Sequence, residues 1–119
     1  MPCMPSKNPA QRLRDIVDNI DAIAEFTAKM DFAAFVADRK TVYAVVRALE
    51  IVSEASRRLP AEIRDRHSEI DWVAVAAADN VCRHEYETVD ETLIWHTVKT
   101  GLAALRGMAT TELDQLRSA

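Results

Sequence analysis

Residues 39–59 read RKTVYAVVRALEIVSEASRRL, and the spacing of the apolar residues in this segment indicates the fold class. Apolar side chains recur at intervals of three and four residues, which places them along one side of an α-helix: Val42, Val45, Val46, Leu49, Val52 and Leu59. Pro60 follows, and because proline has no amide hydrogen and clashes with the preceding turn, it ends the pattern. We therefore predict an amphipathic helix from about Arg39 to Leu59.

Three more segments have a helical pattern. One runs from about Pro9 to Lys29, with Asn8 as its predicted N-cap. An alanine-rich helix is predicted from Ile70 to Cys82, and a last helix from about Glu91 to Leu116. The last helix has two candidate caps: Thr88, which has the spacing of a capping box with Glu91, and Asp90. It also contains Gly101, whose simplest interpretation is a tolerated glycine, although it could mark a close contact.

Shorter elements connect these helices. The segment 31–36 (DFAAFV) is predicted to form a short helical turn, with Phe32 and Phe35 in the core. The charged connector 60–69 is predicted to contain one turn at residues 61–66.

The chain of 119 residues contains only two glycines, and its four prolines are confined to positions 2, 5, 9 and 60. So few turn-forming residues favour long helices with short loops over a many-stranded barrel or sandwich. We predict an all-α, up-and-down bundle of about four main helices. A flexible lead covers residues 1–7, and a single domain covers residues 8–119.

The net charge is −4, so binding to nucleic acid driven by phosphate charge alone would be weak. An acidic protein can still have a local cationic groove, so the charge does not exclude an RNA substrate. Cys3 and Cys82 have no metal-binding spacing and fit a reducing compartment. The longest unbroken apolar stretch is Trp72 to Ala78, too short to span a membrane, and the first residues lack the apolar run of a signal peptide. We predict a cytoplasmic protein without a membrane segment.

One segment carries candidate catalytic groups: residues 79–86 read DNVCRHEY, at the end of the third long helix. Asn80 and His84 are four residues apart and share a helix face. A histidine is the usual general base or acid near neutral pH, and Arg83 or Asn80 could hold a phosphate group. Such a set suits metal-free RNA cleavage. From residue types alone, a structural histidine at a helix end is the commoner interpretation.

The sequence resembles the HepT-like branch of the HEPN superfamily. The resemblance runs through segments 12–16, 35–40, 45–55, 70–72, 80–86, 89–90 and Trp95. The family signature is Arg-Asn-x-x-x-His-x-Tyr, and Asn80, His84 and Tyr86 match it. At the arginine position this chain has Asp79, whose carboxylate would repel a phosphate, and Arg83 is a candidate substitute for the lost cation.

The resemblance implies a ribonuclease toxin that needs no metal or cofactor. His84 would be the general base or acid, and Asn80 would orient it or the phosphate. A nucleotidyltransferase antitoxin of the MntA type would attach AMP to Tyr86, placing negative charge beside the histidine. Members of the family form homodimers with their two motifs at a common cleft, which implies a homodimer here.

Alternatives remain for each of these residues. Asn80 could be a helix cap, and Tyr86 an ordinary half-buried ring. With Asp79 in the motif, the protein could be a catalytically degenerate helical partner of a nucleotidyltransferase. Two other histidines, His67 and His96, are predicted to be solvated or packed. The two tryptophans, Trp72 and Trp95, are predicted to be core or interface anchors. A group of arginines is predicted to form a solvated charged face that could border an RNA groove: Arg57, Arg58, Arg64 and Arg66.

Overall fold

The helical pattern of the sequence is confirmed. A computed structural model of the protein describes the backbone of residues 8–83 and 90–118, and the side chains of residues 8–78 and 90–118. Within these ranges the chain forms seven helices and no strand: α1 (Ala10–Phe26), α2 (Phe32–Ala37), α3 (Arg39–Arg57), α4 (Ala61–Arg66), α5 (Trp72–Arg83), α6 (Glu91–Thr100) and α7 (Leu102–Ser118).

The helices pack as a bundle around one apolar core. α1 lies between α3 and α7, and α3 in turn packs against α5. The apolar stripes predicted from the sequence point inward, and the core includes Leu13, Ile16, Ile20, Ile23, Val42, Val45, Leu49, Val52, Leu102, Leu105 and Met108. None of the described helices is both long and apolar enough to cross a membrane.

Aspartate side chains begin four of the described helices, including α5, where the Asp71 carboxylate accepts a hydrogen bond from the Ala74 amide. Asp31 accepts a hydrogen bond from the Ala34 amide at 2.8 Å, and Asp38 accepts one from the Thr41 amide at 3.2 Å. Asp90 accepts one from the Leu93 amide at 3.1 Å, so the second of the two candidate caps of the last segment is confirmed. These carboxylates satisfy amides that lack a partner in the first helical turn.

The first helix differs slightly from the prediction. It begins at Ala10, and Pro9 rather than Asn8 is its N-cap residue, although the Asn8 side chain still accepts a hydrogen bond from the Ala10 amide at 2.9 Å. The helix ends at Phe26, three residues before the predicted end. Lys29 has a φ of 65°, a left-handed conformation that no α-helix can continue through.

The predicted last helix is two helices. α6 ends at Thr100 and α7 begins at Leu102, with Gly101 between them at φ −112° and ψ −18°. Among the described residues, a Cβ atom at Gly101 would contact only the Thr97 carbonyl, at 3.7 Å, so close packing against them does not explain the glycine. Glycine has a low helix propensity, so a break at this position costs less than elsewhere in the segment.

The two phenylalanines of the short helix α2 have different environments. Phe35 is completely buried, with its ring centroid 5.0 Å from that of Trp95. Phe32 is 40% exposed, so the prediction that both rings lie in the core is wrong for Phe32. On a helix, residues three apart are offset by about 60°, which is enough to move one ring to the rim of the core.

Candidate active site

Helix α5 carries three of the predicted site residues. Asp79, Asn80 and Arg83 all lie in its C-terminal half, and the helix extends to Arg83. The structure therefore places these three positions on one continuous element. The side chains of residues 79–83 lie outside the described residues, and so do His84 and Tyr86 altogether.

The start of α5 is firmly anchored to the connector before it. The indole nitrogen of Trp72 donates to the carbonyl oxygens of Arg64 and His67, each at 3.1 Å. The Asp71 carboxylate accepts a hydrogen bond from the Ala74 amide at 3.1 Å. Trp72 thus packs at the edge of the core and also orients the helix that carries the motif.

The middle of α5 is held by two side chains of α3. The buried Ser53 hydroxyl lies 3.0 Å from the Val75 carbonyl oxygen and 2.9 Å from that of Ala76. The Arg57 guanidinium donates to the Ala76 carbonyl at 2.6 Å and to the Ser53 hydroxyl at 3.1 Å. Asp79 and Asn80 follow Ala76 by three and four residues, so this contact lies about one helical turn before them.

Arg57 therefore brings a positive charge to the helix that carries the motif. Its side chain is 38% exposed, and it also donates to the Glu54 carboxylate at 2.8 Å. Hydrogen bonds from Arg57, and then from Arg58, hold the pKa of Glu54 below its usual value. The charge pattern of the sequence predicted a solvated face for Arg57. Arg57 lies one helical turn after Ser53, which borders the apolar stripe of α3, and this spacing is the signal that could have distinguished Arg57 from the solvated arginines.

The other arginines of that charged run lie elsewhere. Arg58 donates to Glu54 at 2.9 Å on the surface of α3. Arg66 donates to Glu112 of α7 at 2.6 Å, 46 residues along the chain. Arg58 and Arg66 are about half exposed, as expected for a solvated run, whereas Arg57 and Arg66 contact different helices, α5 and α7.

His67 and Glu112 form a buried polar pair away from the motif. His67 Nε2 lies 2.6 Å from Glu112 Oε2, and the histidine side chain is mostly buried. This agrees with the prediction of a packed histidine. His96, in contrast, is exposed on α6 and borders an apolar cavity of about 370 Å³ between α3, α5, α6 and α7.

Trp95 has the anchoring role predicted for it. Its ring packs against the core beside Phe35, and the Lys99 ammonium lies 4.6 Å from the ring centroid. It joins α6 to α2 rather than forming part of a candidate site.

Comparison with known proteins identifies the family. The family model described as Ribonuclease HepT-like matches residues 16–111, which include both α3 and α5. The chain belongs to the HepT-like ribonuclease family. The matched segment contains the whole candidate site of residues 79–86, so the resemblance seen in the sequence is confirmed at the level of the family.

Curated relatives of the HepT-like family support this assignment. A protein of Thermococcus cleftensis named "Probable ribonuclease HepT" is 41% identical over 95 residues, covering 80% of this chain and 86% of the relative. A protein of Methanocaldococcus jannaschii, named as a candidate RNase, is 33% identical over 96 residues, covering 81% and 83%. One of Caldanaerobacter subterraneus subsp. tengcongensis, similarly named, is 35% identical over 92 residues, covering 77% and 82%. No solved structure matches the chain.

Proposed function

We propose that this protein is a metal-independent endoribonuclease toxin whose reactive groups lie at the end of α5. The observation that carries the proposal is the match to the HepT-like ribonuclease family over residues 16–111, a segment that contains Asn80, His84 and Tyr86. We also propose that the protein acts in the cytoplasm, because its two cysteines, Cys3 and Cys82, fit a reducing compartment and its proposed substrate is RNA.

The proposed reaction is an internal phosphoryl transfer. His84 takes the proton of a ribose 2′-hydroxyl, and the oxygen attacks the adjacent phosphorus. The bond from phosphorus to the 5′-oxygen breaks, the leaving oxygen takes up a proton, and the products are a cyclic 2′,3′-phosphate and a 5′-hydroxyl end. Asn80 orients the imidazole or the phosphate. A positioned acid or base of this kind accelerates a reaction by about 10²–10⁴-fold.

The charge of the transition state needs a cation, and Asp79 stands where the family signature has arginine. Arg83, on the same helix, is the candidate substitute. Arg57 supports the proposal from α3, because its guanidinium lies against the Ala76 carbonyl about one turn before Asp79. Positive charge near a phosphate stabilises the charge that develops during the transfer.

The test is RNA cleavage by the purified protein in EDTA, compared with His84→Ala. We expect cyclic phosphate products from the native protein and a loss of rate of at least about 100-fold in the variant. His96→Ala, which changes an exposed histidine of α6, is the matched control and should cleave normally. Equal cleavage by the native protein and His84→Ala, or cleavage by neither, would refute the proposal.

A second function is favoured by one residue. The carboxylate of Asp79 reverses the charge of the signature arginine, so the protein could instead be a catalytically degenerate partner of a nucleotidyltransferase. Asp79→Arg distinguishes the two functions. Strong cleavage that appears only in Asp79→Arg indicates a degenerate native protein, whereas cleavage by the native chain argues against degeneration.

Regulation by a nucleotidyltransferase of the MntA type is part of the proposal. The Tyr86 hydroxyl would attack the α-phosphorus of ATP, pyrophosphate would leave, and the bound AMP would place a negative charge beside His84. Incubation with such an enzyme and ATP should add one AMP to the intact mass, and Tyr86→Phe should abolish the addition.

Light scattering after size exclusion tests the proposed homodimer, and a monomeric mass would contradict it.

A further inference from the structure

The outward side of α3 carries an exposed aromatic ring between arginines. Arg39, Tyr43 and Arg47 are spaced four residues apart, so they lie in a row along the helix. Tyr43 is 56% exposed, although aromatic side chains of this size are usually more buried. The ring contributes little to the core and is open to a binding partner.

Tyr43 is held in place despite its exposure. Arg39 donates two hydrogen bonds to the Tyr43 hydroxyl, from Nε at 3.0 Å and from Nη2 at 2.9 Å. The Arg39 guanidinium carbon lies 5.3 Å from the ring centroid. Since a phenol is neutral, this contact orders the ring without neutralising the arginine.

Arg47 is a largely exposed cation of the row. Its side chain is 72% exposed, and its contact with Glu50 is long, at 3.5 Å. A contact of this length to a largely exposed guanidinium contributes little, so Arg47 can bind another anion at low cost.

This side of α3 is positive on a protein that is negative overall. Residues 39–58 contain five basic and two acidic residues, whereas the rest of the chain contains 10 basic and 17 acidic residues. One of the two acidic residues, Glu54, is bonded to both Arg57 and Arg58. The local charge therefore favours an anionic partner.

The positive row leads to the candidate active site. Arg57 lies 14 residues after Tyr43, which is about 21 Å along the helix axis and close to the same side of α3. Arg57 contacts Ala76, about one turn before the motif on α5. A chain lying along α3 would thus reach the end of α5.

We propose that the exposed side of α3, from Arg39 to Arg57, binds single-stranded RNA and directs it to the motif on α5. Tyr43 stacks on a base, and Arg39 and Arg47 contact phosphates. Aromatic rings ordered among cations are typical of single-strand binding sites. A second copy of the chain fits this surface less well, because two copies would bring the same positive charge together. The inference rests on the proposed function, since it assigns RNA as the substrate.

Binding is measured by the fluorescence anisotropy of a labelled single-stranded RNA of about 12 nucleotides, within the length that such sites cover. All proteins carry His84→Ala and are kept in EDTA, so that the RNA stays intact. Tyr43→Ala should weaken binding by about 10-fold, whereas Tyr43→Phe, which keeps the ring, should stay within about 2-fold of the parent. The same RNA annealed to its complement should bind without dependence on Tyr43, because its bases are already stacked.

Salt dependence separates stacking from charge. Arg47→Ala should weaken binding and reduce the slope of log affinity against log salt by about 0.7, the value for one phosphate of a single strand. Tyr43→Ala should leave that slope unchanged. Arg117→Ala, which removes an exposed arginine from α7, is the matched control and should bind like the parent.

Several results would overturn the inference. They are an absence of RNA binding by the parent, equal affinities of the parent and Tyr43→Ala, or variants that alter only the oligomeric mass, which would assign the surface to a second copy.

Cleavage separates this inference from the proposed function. If the native protein binds RNA through Tyr43 but shows no His84-dependent cleavage, the binding surface stands and the proposed nuclease activity is refuted. If cleavage depends on His84 but is unaffected by Tyr43→Ala, the nuclease activity stands and the binding surface is refuted.

Discussion

Glu112 is a buried carboxylate on α7 that two residues from the region before α5 contact. It is only 3% exposed, and Arg66 and His67 each contact it at 2.6 Å. The hydrogen bond from Arg66 holds the pKa of Glu112 below its usual value, although burial acts in the opposite direction. A buried charge is tolerated only with such partners. Glu112 therefore ties α7 to the α4 region.

This carboxylate predicts a pH dependence of stability. Because the pKa of Glu112 is lower in the folded protein than in the unfolded chain, this carboxylate stabilises the fold fully above about pH 4.3, the usual pKa of glutamate. This stabilisation is lost as the pH falls through the lower pKa of the folded protein. Glu112→Gln should destabilise the protein by about 1–3 kcal/mol at pH 7 and flatten the loss below pH 4.3. Urea denaturation across pH measures this. Asp114→Asn, an exposed change on the same helix, is the control, and parallel pH curves for the native protein and Glu112→Gln would contradict the prediction.

At the scale of elements, α5 is held differently from the other long helices. α1, α3 and α7 contribute large aliphatic side chains to the core, whereas α5 is rich in alanine and is held to α3 by polar contacts from Ser53 and Arg57. Small side chains bury little area, so hydrogen bonds carry a larger part of this contact. The position of the motif therefore depends on a few polar groups.

The element-scale prediction concerns Ser53. Ser53→Ala removes the bonds to the Val75 and Ala76 carbonyls, and we expect a loss of about 1 kcal/mol and faster amide hydrogen exchange in α5. Ser56→Ala is the control, because among the described residues that buried hydroxyl bonds only to the Val52 carbonyl of its own helix. Mass spectrometry of the peptide containing α5 reports the exchange. Equal exchange in the two variants would show that Ser53 does not hold α5.

At the scale of the molecule, the described helices share one apolar core, centred where α1 meets α3 and α7. Leu13 is completely buried there, together with Ile16, Val45 and Leu105. The exposed ion pair between Arg106 and Asp21 also joins α7 to α1, but a surface pair of this kind contributes less than about 1 kcal/mol. Apolar burial dominates the packing of these helices.

Two leucine substitutions test this view of the core. Leu13→Ala should lower the free energy of unfolding by about 2–5 kcal/mol, because it leaves a cavity among side chains of several helices. Leu116→Ala, at a position 40% exposed on α7, should change it by less than about 1 kcal/mol. Urea denaturation followed by circular dichroism gives both values. Similar losses in the two variants would argue against a single dominant core.

Local chemistry explains which elements could be predicted. The helix predicted for residues 39–59 is observed as α3, which ends at Arg57, two residues before the end predicted from Pro60. The turn 61–66 is observed as α4, and the short segment after Asp31 is observed as α2. The break at Gly101 could not be predicted, since a helical glycine costs at most about 1 kcal/mol and packing decides whether the helix continues. The burial of Glu112 was also missed, because its partners lie about 45 residues away.

The amino-acid sequence alone determined the helical class, the apolar stripes and the membership of the HepT-like family, because periodicity and motif spacing are properties of the chain itself. Only the tertiary structure decided that Arg57 reaches α5, that Glu112 is buried with Arg66 and His67, and that Tyr43 stays exposed beside Arg39. The physical reason is that periodicity defines which face of a helix is apolar. Which distant helix meets each polar residue depends on how all the helices pack together.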